Sequence, residues 1–245
     1  MKEKVTKISQ AIILAAGFGT RLRPLTLKTP KPLIEINNQP IIFYILEELR
    51  KNNIKKCYIN THYLSEKIEE YINVYGKKNK AMKIKIIKES KILETGGAIK
   101  NIREKDITKP IIVINGDSII IPSNSKNFLA ELIKNFNPNN MDFLLLLDDK
   151  KKSIGYNGQG DFAIESKKCP SKIYRKKIDS LAYTGWQILN PKVIDEININ
   201  KFSLNICYDE AIKNNLIWGI KNSGKWLHIG TVDALNKAKE WIKNN

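Results

Sequence analysis

The stretch LAAGFGTRLRPLTLKTPKPL, residues 14–33, carries the strongest chemical signal in the sequence. It follows an apolar run typical of a β-strand, and open α/β sheets bind ligands at the carboxyl ends of their strands. Gly17 and Gly19 permit positive φ and let backbone N–H groups approach phosphate oxygens. Arg21 can donate two hydrogen bonds to one phosphate, and Lys31 can place a compact charge beside another. The stretch therefore predicts a phosphate-binding turn.

Short apolar runs precede and follow this turn at regular intervals. They cover residues 10–16, 55–61, 82–88, 110–116 and 141–149. Segments with helical character separate them, at 40–52, 65–75, 96–104 and 125–136. β-Branched runs that alternate with amphipathic segments of this length predict an α/β protein in which helices cover both faces of a mostly parallel sheet.

The segment 65–75 is predicted to form an amphipathic helix. Ser65 is a residue type that caps helix N-termini. Ile68, Tyr71, Ile72 and Tyr75 follow at helical spacing, which predicts a stripe packed on the core.

After residue 150 the regular alternation of strand-like and helix-like segments ends. GYNGQGDFAI followed by SKIYRKK predicts a turn into a short hairpin, and LAYTGWQIL (181–189) predicts a strand. A capped helix is expected at 203–215, then a strand over LIWGIK and a terminal helix at 231–243. No Pro, Gly or Ser-rich linker divides the chain, so we expect a single domain over residues 1–245.

The net charge of +17 raises the question of a polyanionic partner. The lysines, however, are scattered in twos and threes without interleaved aromatic residues, which argues against a nucleic-acid surface and for small anionic substrates. Three widely spaced cysteines, with no CxxC pair, predict reduced thiols.

No stretch approaches the ~18 apolar residues of a membrane span, and the first apolar run is too short for the core of a signal peptide. A cytoplasmic protein that does not contact membranes is expected. The sequence leaves monomer and small homo-oligomer open.

The residues of the 14–33 stretch match, without a gap, the opening motif of the sugar-phosphate nucleotidyltransferases, L-A-x-G-x-G-T-R-L-x-P-L-T followed by x-x-K-P. LETGGAIKNI (93–102), VINGD (113–117), LAYTGWQIL and KWLHIGT (225–231) resemble later motifs of the same family, so the resemblance spans most of the chain. It implies a Rossmann-like, three-layer α/β/α fold with a mostly parallel mixed sheet, the nucleotide-diphospho-sugar transferase fold. It also implies a reaction in which a sugar 1-phosphate attacks the α-phosphorus of a nucleoside triphosphate and pyrophosphate leaves.

The resemblance implies roles for particular residues. Arg21 would stabilise the β- and γ-phosphates and the departing pyrophosphate, and Lys31 the α-phosphate. Gly96 and Gly97 would let the nucleotide base lie flat on the backbone. The implied nucleotide-binding set is Leu14, Ala15, Ala16, Gly17, Gly19, Thr20, Gly96 and Gly97.

The family holds a catalytic divalent metal at the position of Asp117. Mg²⁺, a hard cation that prefers oxygen ligands, is the expected cofactor, with Mn²⁺ as the alternative. Thr184 and Gly185 lie in the motif that contacts the sugar. Asn115 is expected either to bind a sugar hydroxyl or to satisfy backbone groups in a turn.

His228 stands where most relatives present a second metal-binding aspartate. One interpretation is that its imidazole donates a hydrogen bond to a phosphate or a metal-bound water, leaving Asp117 as the main carboxylate. The other is that it binds the metal directly, in which case a softer ion such as Mn²⁺ suits nitrogen better. Asp233 is expected to complement the last helix dipole.

Two further points stay open at this level. His62, at the end of a predicted strand, either lines the same cleft or belongs to an ordinary loop. The Glu-Lys-Pro triplet whose lysine holds the sugar phosphate in the family is absent before YTGWQ; Arg175, Lys176 and Lys177 are imperfect substitutes in what is otherwise a solvated hairpin.

The GQGDF turn (158–162) and FSLNICYDEAI (202–212) are most similar to short bacterial N-acetylmuramate-1-phosphate uridylyltransferases of peptidoglycan recycling. UTP and N-acetylmuramate 1-phosphate are therefore the expected substrates. Relatives that make GDP-mannose, GDP-heptose or dTDP-glucose share the first motif and remain alternatives. A nucleotide-sugar-binding regulatory protein that has lost catalysis is the alternative from a different class.

Overall fold

The computed structural model describes residues 8–123, 126–166, 168–176 and 178–245. The strands are β1 Gln10–Leu14, β2 Glu35–Ile36, β3 Gln39–Pro40, β4 Lys56–Thr61, β5 Lys83–Lys88, β6 Ile111–Asn115, β7 Ser118–Ile121, β8 Phe143–Asp148, β9 Phe162–Ile164, β10 Ser171–Arg175, β11 Ala182–Leu189, β12 Ile217–Lys221 and β13 Lys225–His228. The α-helices are α1 Ile41–Lys51, α2 Ser65–Lys78, α3 Glu94–Asp106, α4 Phe128–Asn135, α5 Asn205–Lys213 and α6 Val232–Asn244. Short 3₁₀ turns lie at Thr20–Leu22, Leu25–Leu27, Lys31–Leu33 and Pro191–Ile194.

Nine strands form one mixed sheet in the order β5-β4-β1-β6-β11-β8-β12-β10-β9. β10 and β11 run against the other seven, so the sheet is mostly parallel, as the sequence predicts. Successive parallel strands need a crossover, which the helices between them supply. The chain order places β1, which leads into the glycine turn, at the centre between β4 and β6.

Helices cover both faces of the sheet, because alternate side chains of each strand point to opposite sides. In β1, Ile13 joins an apolar cluster with buried residues of α1, α2, α4 and α6. Its neighbour Ile12 joins a second cluster with residues of α3 and α5. The three-layer α/β/α architecture is thereby confirmed. Among the described residues, no helix is both long and apolar enough to cross a membrane.

Helix α2 begins differently from the prediction. Ser65 does not act as its cap: the Ser65 hydroxyl pairs with the hydroxyl of Thr61 at 2.7 Å, and Leu64, with φ 49°, is the residue before the helix. The stripe is confirmed as core packing, with Ile68, Ile72 and Tyr75 buried.

Two other helix starts also differ from the sequence analysis. α4 begins at Phe128 because the Asn127 side chain accepts the Ala130 N–H at 3.0 Å, which ends the preceding loop there. α5 begins at Asn205, two residues after the expected start. Leu204 provides no side-chain cap, but the Ser203 hydroxyl accepts the Asn205 N–H at 3.3 Å, so the polar start does supply a bond to the helix. α6 does have a side-chain cap, since Thr231 accepts from Ala234 N–H at 3.2 Å.

A second, two-stranded sheet of β7 and β13 lies beside the main one and is tied to it by a buried polar group. The antiparallel register sets Ser118 opposite His228. The Ser118 hydroxyl donates to the Thr184 carbonyl and accepts from the Trp226 indole at 2.9 Å. The Trp186 indole donates to the Ser118 carbonyl at 3.1 Å. Ser118 thus connects β7, β11 and β13.

Replacing Ser118 by alanine tests this connection. Ser118→Ala leaves the buried Trp226 N–H without its acceptor and should lower the free energy of unfolding by about 1–3 kcal/mol, measured by urea unfolding. The exposed Ser123→Ala is the control, with a change within about 0.5 kcal/mol. Equal effects of the two substitutions would show that the Ser118 hydroxyl does not tie the sheets together.

Candidate active site

A cleft of about 400 Å³ opens at the carboxyl ends of the central strands β1, β4 and β6. This is the edge at which the sequence analysis expects a ligand. Its lining includes residues of the glycine turn, of the start of α3 and of the ends of these strands. The lining residues are Leu14, Ala15, Ala16, Gly17, Gly19, Thr20, Arg21, Lys31, Pro32, Asn60, Glu89, Ile92, Glu94, Thr95, Asn115, Gly116, Asp117 and Gly230.

The glycine turn after β1 lines the cleft. Gly19 adopts φ 63°, and a Cβ at this position would lie 2.9 Å from the Thr26 side chain, so the turn requires glycine there. Gly17 does not adopt positive φ, contrary to the expectation; it faces open space instead. The Thr26 hydroxyl donates to the Gly19 carbonyl at 2.9 Å and holds the turn closed.

Lys31 and Asp117, which are far apart in sequence, meet in the cleft. The Lys31 ammonium lies 2.5 Å from an Asp117 carboxylate oxygen, and the two side chains are 14% and 21% exposed. Arg21 extends from the 3₁₀ turn after Gly19, is exposed and lines the same cleft. The structure therefore brings together the three residues for which catalytic roles are expected.

The charge state of Asp117 follows from these neighbours. Burial by itself raises the pKa of the Asp117 carboxyl group. The ammonium of Lys31 and the ring of His228 outweigh burial, with a smaller contribution from Arg21, and hold this pKa below its ordinary value. Asp117 is therefore a carboxylate at neutral pH, the form that a cation requires.

His228 ends β13 next to Asp117. The Ile229 N–H donates to the Asp117 carbonyl at 3.2 Å, and a Cβ at Gly230, a residue of the cleft lining, would lie 2.7 Å from the imidazole Nε2. This nitrogen therefore points toward the Gly230 side of the cleft.

The imidazole of His228 is neutral near pH 7. Burial lowers its pKa, and the positive charges of Lys31 and Arg21 act in the same direction. The carboxylates of Asp117 and Asp161 oppose this without offsetting it, so the pKa lies below the ordinary value. A neutral ring keeps one nitrogen lone pair for a metal or a proton donor.

Asn115, at the end of β6, lines the cleft and packs against Gly185. A Cβ at Gly185 would lie 2.9 Å from the Asn115 side chain, so Gly185 makes room for Asn115 and is absent from the lining. Thr184 is buried, and its hydroxyl donates to the Leu146 carbonyl at 2.8 Å. Thr184 and Gly185 both take part in the packing of β11 and neither belongs to the lining of the cleft, so their contact with a sugar stays a prediction.

Gly96 and Gly97 are packed closely by the chain that leads into α5. A Cβ at Gly96 would lie 2.3 Å from the Phe202 ring, and one at Gly97 would lie 2.2 Å from the Asn200 carbonyl oxygen. Both backbone N–H groups donate to the Phe202 carbonyl, at 2.9 and 3.1 Å. These glycines let the chain before α5 pack on α3, and their contact with a nucleotide base stays a prediction.

Two buried polar residues of the cleft were not predicted from the sequence. Asn60 lies near the end of β4 and Glu89 directly follows β5, and each is 4% exposed. Asn60 accepts the Ala15 N–H at 2.8 Å and donates to Glu89 at 2.8 Å, while Glu89 also accepts the Leu93 N–H at 3.2 Å. Asn60 is in the predicted strand 55–61 and Glu89 follows the predicted strand 82–88, and a polar residue at the end of a predicted strand is the signal that could have found both.

His62 contacts Glu89 but does not belong to the lining of the cleft. Its Nδ1 lies 2.9 Å from the Glu89 carbonyl oxygen, and its ring makes an edge contact with exposed Phe18, with centroids 5.7 Å apart. Of the two interpretations left open for His62, the structure favours a residue that supports the loops around the cleft.

The cations considered for the sugar phosphate do not line the cleft in the described part of the chain. The Arg175 guanidinium donates to Asp209 at 3.0 Å and to Asn205 at 2.8 Å, and it lies over the Phe162 ring. Lys176 is exposed on the hairpin. Lys177 lies outside the described residues.

The donors for a metal ion are few. No group of three or more His, Cys, Asp and Glu side chains with suitable geometry occurs within the described residues. Asp117 and the adjacent His228 provide one carboxylate and one neutral imidazole. The carboxylate suits Mg²⁺, which keeps several waters and takes further ligands from substrate phosphates, whereas direct binding by the imidazole nitrogen would suit Mn²⁺ better.

Comparisons with known proteins agree with this geometry. The family model described as nucleotidyl transferase matches residues 10–245. An N-acetylmuramate α-1-phosphate uridylyltransferase of Caulobacter vibrioides is 29% identical over 91% of this chain and 93% of its own length. A mannose-1-phosphate guanyltransferase of Yarrowia lipolytica is 29% identical over 90% of this chain and 60% of its own length.

Solved structures extend the likeness to the fold. A UDP-glucose pyrophosphorylase complexed with UDP-glucose superposes with a TM-score of 0.78 at 18% identity, covering 98% of this chain and all of that one. With a family model that spans nearly the whole sequence, the conclusion is direct: this chain belongs to the nucleotidyl transferase family.

Proposed function

We propose that residues 1–245 act as one domain that joins a nucleoside triphosphate to a sugar 1-phosphate, releasing a nucleotide-sugar and pyrophosphate. The observation that carries the proposal is the meeting of Lys31, Asp117 and Arg21 around the glycine turn at the carboxyl edge of the sheet. Cations and free backbone N–H groups at this edge suit phosphates, and a carboxylate among them suits a divalent cation.

The lining of the cleft contains both positive and acidic groups, which would orient the nucleotide. Arg21 and Lys31 supply positive charge, beside which the triphosphate would bind. Asn60, Glu89 and Glu94 belong to the same lining. Carboxylates repel phosphate but accept hydrogen bonds from the N–H and O–H groups of a nucleoside. The base and ribose would therefore lie toward Glu89 and the phosphates toward Lys31.

Catalysis of this reaction depends on positioning of the substrates and stabilisation of charge more than on proton transfer. An oxygen of the sugar phosphate, already ionised at pH 7, forms a bond to the α-phosphorus while the bond from this phosphorus to the bridging oxygen of pyrophosphate breaks. No general base is needed. Lys31 would stabilise the charge on the α-phosphate, and Arg21 the charge on the leaving pyrophosphate.

Asp117 and His228 would hold the divalent cation of this reaction, for which Mg²⁺ is proposed and Mn²⁺ is the alternative. When bound, such a cation neutralises phosphate charge and orients the phosphate oxygens. Lys31 is paired with Asp117 in this structure. It would become available to a phosphate once the Asp117 charge is satisfied from another source.

UTP and N-acetylmuramate 1-phosphate are the proposed substrates. Support comes from the Caulobacter relative, whose whole length this chain nearly covers and whose name states that activity. A guanylyltransferase acting on mannose or heptose 1-phosphate is the second candidate, and Glu89 is the observation that favours it. A buried carboxylate can accept both N1–H and N2–H of guanine, whereas uracil offers it one N–H.

A pyrophosphate-release assay tests the proposal. Each of the four nucleoside triphosphates is paired with a panel of sugar 1-phosphates, with Mg²⁺ and then with Mn²⁺. We expect the highest kcat/KM with UTP and N-acetylmuramate 1-phosphate, and no release when either substrate is left out. Preference for GTP with mannose or heptose 1-phosphate would select the second candidate. Silence for every pair would overturn the enzymatic proposal in favour of a regulatory binding protein.

Substitutions at His228 test its part in cation binding. His228→Ala should lower kcat/KM by about 10–100-fold, the cost typical of a lost metal ligand or of its support. His228→Asp should retain Mg²⁺-dependent turnover, because it restores an oxygen ligand. Steady-state rates at varied Mg²⁺ and Mn²⁺ provide the measurement. A His228→Ala variant as fast as the parent protein would show that the histidine is structural.

A further inference from the structure

Tyr156 and the glycine turn after it lie against His228 and have no part in the chemistry described above. The backbone around Tyr156 is fixed to β13: the Ile154 N–H donates to the Trp226 carbonyl and the His228 N–H to the Ile154 carbonyl, both at 2.9 Å. Residues 154–156 therefore run alongside the strand that ends at His228. This segment is tied to the strand carrying the imidazole.

The ring of Tyr156 packs on the His228 imidazole. The two rings meet edge to face, with centroids 5.7 Å apart and planes at 76°. The same tyrosine contacts Trp226, with centroids 5.2 Å apart. Trp226 also contacts His228, at 5.5 Å. Two aromatic neighbours thus restrict the rotation of the imidazole and leave its Nε2 toward Gly230.

The turn 157–160 closes over the Tyr156 hydroxyl, which explains its glycines. The Gly160 N–H donates to this hydroxyl at 3.2 Å. A Cβ at Gly158 would lie 2.5 Å from the Tyr156 hydroxyl oxygen, and one at Gly160, where φ is 92°, would lie 2.2 Å from the Ser180 hydroxyl. Larger residues at either position would displace the tyrosine or the loop, so the Gly-x-Gly pattern holds Tyr156 in place.

We infer that Tyr156 is a positioning residue for His228, held by the Gly158-to-Gly160 turn so that the imidazole keeps one orientation beside Asp117. The inference rests on the proposed function for what the imidazole is positioned to do. It adds that the Gly-x-Gly-Asp-Phe motif acts indirectly, because it holds Tyr156 and does not itself contact the reacting groups. It also names a residue whose effect on turnover passes entirely through His228.

A double-mutant cycle tests this directly. Tyr156→Leu removes the ring and should lower kcat/KM about tenfold or more, because a displaced group in an active site is costly. In the His228→Ala background the same substitution should change kcat/KM by less than about twofold, since coupled residues do not add. The exposed Tyr174→Phe on β10 is the control and should leave the rate unchanged. An equal loss in both backgrounds would overturn the inference.

A second readout does not depend on turnover. The chain has two histidines, so the imidazole resonances of His228 can be assigned by NMR with a His62→Gln variant. Tyr156→Leu should shift and broaden the His228 ring signals and leave those of His62 in place. Unchanged His228 signals would contradict the positioning role, whatever the substrates prove to be.

Tyr156→Phe covers the case in which Tyr156→Leu does not fold. This variant keeps the ring and removes only the hydroxyl, which contacts the Gly160 N–H and the Asp161 side chain. It should give the same pattern at smaller amplitude, with a thermal unfolding temperature close to that of the parent protein. A folded Tyr156→Phe with parent rates and parent His228 signals would show that the turn does not act through the tyrosine.

Discussion

The contact between Lys31 and Asp117 is the interaction on which the arrangement of the cleft depends. Both side chains are largely removed from water, and each would be costly there without the other. The pair also joins the two halves of the cleft, since Lys31 follows the glycine turn after β1 and Asp117 follows β6. Parallel pairing of these strands, with Leu14 opposite Asn115, brings the two segments side by side.

The surroundings of this pair bring positive and acidic groups into one cleft. The glycine turn and Arg21 are suited to phosphate oxygens. Asn60 links the Ala15 backbone to the Glu89 carboxylate, so an acidic group is held next to the same turn. The Ser118 network fixes β7 against β13 and thereby sets the place of His228. The cations, the carboxylates and the imidazole are thus positioned by neighbouring features of one sheet edge.

Much of this could be predicted from the sequence where the signal is local. The alternation of apolar runs and helical segments predicted the layered α/β fold. The 14–33 stretch predicted the phosphate-binding turn with Arg21 and Lys31, and the resemblance of VINGD (113–117) to a family motif pointed to Asp117. What could not be predicted depends on contacts between distant segments. The packing of Phe202 on Gly96 cannot be read from LETGGAI, and the engagement of Thr184 with Leu146 depends on the pairing of β11 with β8. Helix starts shifted for the same reason, as when Ser65 bonded Thr61 instead of capping α2.

We propose that Asp117 holds Lys31 in a charge-compensated state until a cation and a triphosphate bind. Calorimetric titration of the nucleoside triphosphate in the absence of divalent cations tests it most directly. Asp117→Asn removes a carboxylate that repels phosphate and frees Lys31, so it should bind the nucleotide about tenfold more tightly than the parent protein while losing turnover. Asp233→Asn, on the exposed face of α6, should bind as the parent does. Unchanged or weaker cation-free binding by Asp117→Asn would contradict the account.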